Sequence, residues 1–194
     1  MNHDDHVRLL HGGVPPDSAG GVWADFGAGD GAFTLALAEI LGAEAEIHAV
    51  DREAGRLRRL QEKMHARFPA LVDGGKLHLH GVDYTRPLDL PPLDGLVMAN
   101  ALHFQRDKAP VVRRLARYLQ PGGRFVIVEY NTDRGNRWVP YPLSYERWER
   151  LAESAGLQRV RRIARQPSRF LGEFYAALAF REETFPPAAQ QEEV

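Results

Sequence analysis

Apolar runs rich in β-forming residues alternate along the chain with segments whose apolar positions recur at helical spacing. That alternation is the pattern of βαβ units on a parallel sheet, so an α/β fold is expected. The first strand is read at residues 22–26, followed by a helix with a buried stripe of Phe33, Leu37, Ile40 and Leu41 that ends at Gly42. A second strand, 47–50, runs into Asp51 and then a helix with Ala54, Leu57, Leu60 and Met64 on one face and charges on the other. A third strand begins at Lys76 and is expected to end at Asp83. Beyond the Pro-rich link 87–92 lies a fourth strand, 93–99, then a helix carrying Val112, Leu115, Ala116 and Leu119.

Pro121-Gly122-Gly123 is read as stopping that helix and turning the chain into a fifth strand, 124–130. Its run of Phe125, Val126, Ile127 and Val128 suits a centre buried on both faces. From 131 to 142 the composition shifts to Gly, Pro, Asn and Arg with Trp138 and Tyr141, so a loop over the site is expected, and 131–145 is a candidate lid. A helix with Tyr145, Trp148, Leu151, Ala152 and Ala155 follows, and two β-like segments near 157–163 and 170–180 close the domain. The organisation expected is a short N-terminal arm (1–20), one domain (21–183) and a flexible tail (184–194).

Composition narrows the functions. A chain of 194 residues accommodates about one domain. Its 25 Lys+Arg against 26 Asp+Glu leave a net charge of -1, so no global field would draw it to nucleic acid or an anionic membrane. A small-molecule partner is expected, with no nucleic acid and no membrane. The absence of cysteine removes disulfides, thiolate metal sites and a thiol nucleophile. With no apolar run of membrane-spanning length and no basic-then-apolar start, a cytoplasmic location is expected.

The chemistry concentrates after the first strand. Asp25-Phe26-Gly27-Ala28-Gly29-Asp30-Gly31 joins strand to helix through three glycines at alternate positions, which let a ligand approach bare backbone beside the amides that open the helix. Asp51, 20 residues past Gly31 at the next strand's end, can accept hydrogen bonds from both hydroxyls of a ribose. Loop and acid together imply an adenosine-type ligand. Asp83, followed by Tyr84, reaches the same edge, where its carboxylate could accept from an adenine amine, and Asn100 ends the fourth strand.

The ordered series Asp25-x-Gly27-x-Gly29-x-Gly31, Asp51, Asp83, Asn100 and Leu119-Gln120-Pro121-Gly122-Gly123-Arg124 resembles that of class I S-adenosylmethionine-dependent methyltransferases. The stretch Met98-Ala99-Asn100-Ala101-Leu102-His103 is similar to small-molecule enzymes of the methyltransferase-11-like group. The resemblance implies a three-layer sandwich around a seven-stranded, mostly parallel sheet with an antiparallel last strand. It implies S-adenosylmethionine as cofactor, with S-adenosylhomocysteine as product. Asp25 would support the loop and the methionine amino group, and Gly27, Ala28, Gly29 and Gly31 would line the methionine portion. Asp51 would bind the ribose, with Arg52 beside the adenosine, Asp83 and Tyr84 at the adenine, and Asn100 near the methionine portion or the sulfonium.

His103 is the catalytic candidate, since an imidazole just past the fourth strand can take a proton near neutral pH. Tyr130 and Asn131 are weaker acceptor-side candidates. No metal-ligand set is assigned; His3, His6 and His11 would approach one another only if their stretch were helical. Arg159, Arg161, Arg162, Arg165 and Arg169 read as a solvated strand face that could steer an anionic acceptor. Gly27-x-Gly29-x-x-Ala32 also satisfies the dinucleotide fingerprint, so a nicotinamide-dependent oxidoreductase is one alternative and a non-catalytic cofactor- or partner-binding module another.

Overall fold

A computed structural model describes residues 1–14, 16 and 20–182. The tail expected at 184–194 lies outside the described residues. The sheet has seven strands: β1 (Val22–Phe26), β2 (Glu46–Val50), β3 (Leu77–His80), β4 (Leu93–Ala99), β5 (Leu119–Tyr130), β6 (Leu157–Ser168) and β7 (Gly172–Arg181). Their order is β3-β2-β1-β4-β5-β7-β6. Strands β1 to β5 are mutually parallel, whereas β7 runs antiparallel to both β5 and β6. The seven-stranded α/β sandwich is thus borne out. The chain reverses direction beside β1, because β2 pairs on one side of it and β4 on the other. Ligands of open α/β sheets bind at such a switch point, outside the carboxyl ends of the strands.

Among the described residues six α-helices cover the sheet: α1 (His3–His11), α2 (Ala32–Leu41), α3 (Ala54–Arg67), α4 (Pro69–Asp73), α5 (Ala109–Tyr118) and α6 (Tyr145–Ser154). One core packs α1 to α4, through Leu9, Leu37, Leu60 and Leu71, on Ile47, Val97, Val126 and Val128. The other packs α5 and α6, through Leu115 and Trp148, on Phe26, Leu96, Met98, Phe125 and Ile127. Neighbouring residues of one strand thus serve opposite cores, as the two-residue period of a strand requires.

Several expectations need correction. The short N-terminal arm contains a helix that was not among the expected elements: Asn2 and Asp5 cap α1 reciprocally, and Leu9 and Leu10 are buried. With α1 packed against it, α2 buries Ala36 and Ala38 besides Phe33, Leu37 and Leu41 of its predicted stripe, while Ile40 is only half-buried and Thr34 is buried against Asp25. Strand β3 ends at His80, so Asp83 stands three residues beyond it in the connection. Leu119 belongs to β5, which begins before Pro121-Gly122-Gly123 and accommodates that turn as a register shift against β4. Strand β6 runs on to Ser168, five residues past its expected end. Among the described residues no helix is long and apolar enough to cross a membrane.

Candidate functional site

The loop after β1 is shaped from beneath and from the side. The amides of Gly27 and Ala28 both donate to the Val50 carbonyl, at 2.8 and 3.0 Å, which fastens the loop to the end of β2. Gly27 has φ +82°, and a Cβ there would come within 2.5 Å of the Ala101 Cβ. Gly31, at φ +87°, leaves 2.7 Å between such an atom and Leu60 Cγ. Both positions therefore need glycine for conformation and for space. Asp25 is 1% exposed beneath the loop, where Thr34 Oγ1 donates to its Oδ2 at 2.6 Å. Burial pushes its pKa up to about 7, with the nearby Asp51 charge adding to the rise and the Thr34 bond opposing it.

A cleft of about 490 Å³ opens along the carboxyl ends of β1, β2 and β4. It brings together Gly27, Asp51, Arg52, Asp83, Tyr84 and Asn100 of the predicted set. Asp25, Ala28, Gly29 and Gly31 are not on its wall; the last three form the loop that gives the wall its shape, and Asp25 lies in β1 beneath it. Asp51 accepts from the Gly29 amide through Oδ2 and from the Glu53 amide through Oδ1, both at 2.9 Å, so one carboxylate couples the glycine loop to the start of α3. Asp83 takes the Thr85 amide and hydroxyl on Oδ1, at 2.8 and 2.7 Å. Partial burial works against its charge, but these bonds and the Arg52 and Arg86 guanidiniums hold its pKa below the usual carboxylate value. Tyr84 donates to the Ala101 carbonyl at 2.8 Å and accepts from Gln105 Nε2 at 3.1 Å, sewing the far wall to the turn after β4. Phe104, Gln105, Glu53 and Arg56 also line the cleft. None of these four stood out in the sequence, because each lies off the strand-end positions.

Asn100 occupies a special position. It adopts φ +52°, a left-handed conformation that Asn tolerates better than most residues. It lines the cleft and also a second cavity of about 670 Å³ walled by Tyr130, Phe170, Phe174, Ser168 and Arg169. Its Oδ1 is buried and lacks a hydrogen-bond partner, which is costly unless a ligand supplies the donor.

His103 lines neither cavity. It is 3% exposed, and its Nδ1 lies 2.8 Å from Oε2 of Glu129, itself fully buried in β5. Glu129 Oε1 accepts the backbone amide of His103 at 3.1 Å. Glu129 was missed because it follows an apolar run, where an acid at a fully buried position is itself the signal. Asn131 is committed to structure, donating to Glu173 and accepting from the Tyr145 amide. The loop over residues 131–144 is tied down by the Tyr141 amide, which donates to the His103 carbonyl at 3.0 Å, while Trp138 stands 68% exposed. Of the arginine run, Arg165 pairs with Glu173, Arg162 lies over the Tyr145 ring, and Arg169 reaches the second cavity. The His3–Glu39 contact and the His6–Phe33 ring contact account for two of the N-terminal histidines.

Residues 24–125 match the family model described as a methyltransferase domain. The chain belongs to that family. Membership and fold together bear out the class I, S-adenosylmethionine-dependent reading of the motif series, and the methyltransferase domain has S-adenosylmethionine as its cofactor. They also set aside the nicotinamide alternative. The fold is similar to that of the YcgJ protein of Bacillus subtilis, at 14% identity and TM-score 0.73, covering 94% of this chain and all of that one. It is similar to the CurJ carbon methyltransferase at 21% identity and TM-score 0.70, covering 87% of this chain and 50% of that one. A phosphoethanolamine N-methyltransferase of Haemonchus contortus, solved with S-adenosyl-L-methionine, matches at 15% identity and TM-score 0.74, over 93% of this chain and 53% of that one. The chain spans about half the length of these two enzymes. No curated protein matches it significantly by sequence.

Proposed function

We propose that this methyltransferase domain methylates a small molecule bound in the aromatic cavity beside Asn100, with the cofactor in the neighbouring cleft. The observation that carries this reading is the buried, unpartnered Oδ1 of Asn100 at the junction of the two spaces. A cleft of this volume is of the size that small ligands and cofactors occupy. When bound, S-adenosylmethionine supplies an activated methyl group for in-line displacement by the acceptor, leaving S-adenosylhomocysteine.

The chain's own residues then bind, align and exclude water. Each oxygen of Asp51 holds one backbone amide and keeps a lone pair for a ribose hydroxyl. Both described bonds to Asp83 fall on Oδ1, which leaves Oδ2 for the adenine amine. Arg52 and Tyr84 flank that end, the glycine loop carries the methionine portion, and Asp25 supports the loop from below. Asn100 Oδ1 accepts a donor from the methionine portion. Phe170, Phe174 and Tyr130 offer flat apolar contacts to an acceptor, Arg169 favours an anionic one, and the 131–145 segment acts as a lid.

His103, which lines neither cavity, is a positioning residue in this reading: with Glu129 it fixes the turn that carries Asn100 and Ala101 into the cleft. Calorimetry with S-adenosylmethionine tests the donor half: saturable binding that Asp51→Ala weakens supports it. No binding at millimolar cofactor, or binding indifferent to that change, overturns it. Formation of S-adenosylhomocysteine against a panel of planar and anionic acceptors tests transfer and separates an enzyme from a non-catalytic cofactor-binding module.

A further inference from the structure

At the opposite side of the sheet from α1 to α4, two strands bring together residues that the methyltransferase site does not use. Glu46 and His48 alternate on β2, and His78 and His80 on the edge strand β3. The parallel register sets His48 beside His78 and Val50 beside His80, so all four side chains project from one face. The connection from β3 to β4 contains no helix, and this corner of the sheet is left partly open.

The geometry points to a divalent transition-metal site formed by Glu46, His48 and His78, with zinc as the best-fitting ion. The Nε2 atoms of His48 and His78 each stand 3.1 Å from Oε1 of Glu46, and one donor atom from each residue lies within 4.8 Å of the others. Tetrahedral zinc with bonds of about 2.0–2.1 Å to nitrogen and oxygen separates its ligands by roughly 3.3 Å, so each imidazole nitrogen needs to back away from the Glu46 oxygen by only a few tenths of an ångström. The rings of His48 and His78 stack at 4.6 Å and 16°, and both Nε2 atoms face the one Glu46 oxygen.

Two further features belong to a metal centre. His48 Nδ1 lies 3.0 Å from His80 Nε2, so the ring nitrogen not used for the metal has a fixed partner, as ligating histidines require. His48 is nearly buried, whereas the side chains of Glu46 and His78 are 40% and 39% exposed, giving a site with a rigid base and an open fourth position for water. Two imidazoles and one carboxylate without thiolate suit zinc, with nickel and copper as competitors, rather than calcium or magnesium. The ion would clip the edge strand β3 to β2. Among the described residues this is the single cluster of histidine, acidic or cysteine side chains with metal-ligand spacing.

The full chain, stripped of metal, is titrated with Zn²⁺ against a chromophoric chelator. One equivalent is taken up, and the thermal midpoint rises by about 5–10 °C at a hundredfold excess over the dissociation constant. His78→Ala and Glu46→Ala each weaken uptake at least tenfold, and His80→Ala does so by about tenfold through His48. His78→Gln, which keeps the size of the side chain, serves as the second variant, with the metal-free thermal midpoint and S-adenosylmethionine binding reporting on the fold. No saturable uptake overturns the site and leaves two imidazole donors sharing one carboxylate. Uptake unchanged in His78→Ala and His78→Gln but lost on replacing His3 and His6 overturns it as well, by placing the ion at the N-terminus. Cofactor binding is read separately, so failure here is distinguishable from failure of the methyltransferase reading.

Discussion

The His103 imidazole and the Glu129 carboxylate meet at 2.8 Å between the ends of β4 and β5, and Glu129 also holds the His103 backbone amide. Two strands are joined there by a buried pair that fixes both the ring and the turn carrying it. Glu129→Gln keeps the shape but weakens the bonds that hold the turn carrying Asn100 and Ala101. We expect cofactor affinity to fall about tenfold as that turn loosens. A drop in thermal midpoint with cofactor affinity intact would reduce the pair to a structural strut.

Asp25 makes stability depend on pH with a definite sign. Its folded pKa, about 7, lies above the ordinary value of 3.8 because burial disfavours the charge. Between those values the folded chain binds the extra proton. The contribution is full below about pH 3.8 and is lost as pH rises through about 7. The shift corresponds to at most roughly 4 kcal/mol. Denaturant unfolding of the cofactor-free protein from pH 5 to 8 should therefore show a falling component that Asp25→Asn removes; an identical slope in the variant would refute it.

Glycines of similar φ should respond differently to alanine. Gly42, at φ +77° and ψ −174°, has nothing within 4 Å of the point where a Cβ would stand, so Gly42→Ala carries only the backbone penalty of about 1–3 kcal/mol. Gly27→Ala adds a clash with Ala101 and displaces the turn that leads from Asn100 to His103. Calorimetry should find cofactor binding weakened at least tenfold in Gly27→Ala and unchanged in Gly42→Ala. Equal affinities would remove the steric argument for the loop.

Asn100→Gly accommodates the left-handed backbone and removes the unpartnered oxygen. Cofactor affinity should fall roughly 10–100-fold, the range for a lost hydrogen bond to a charged group, without loss of thermal stability. Full affinity in the glycine variant would show that Oδ1 does not meet the cofactor.

The fold was legible where local chemistry and burial agree. Strand β1, the glycine loop, the end of α2 at Gly42 and the double-sided burial of β5 all follow from hydrophobic period and turn residues. The exact end of β3 was not legible, because Asp83 continues an extended-looking run after pairing has stopped. Nor was the docking of α1, since a short amphipathic segment reveals its face but not the helix it covers.

The sequence alone determined the succession of strands along the chain, the loop after β1 and the acid that follows β2, since spacing along one strand or helix dictates which residues share a face. Tertiary structure decided what those residues meet. Gly27 came to face Ala101, His103 to face Glu129 and Glu46 to face His78, across separations that no local period encodes. Strand order and register settle such meetings, and they are properties of the packed sheet as a whole.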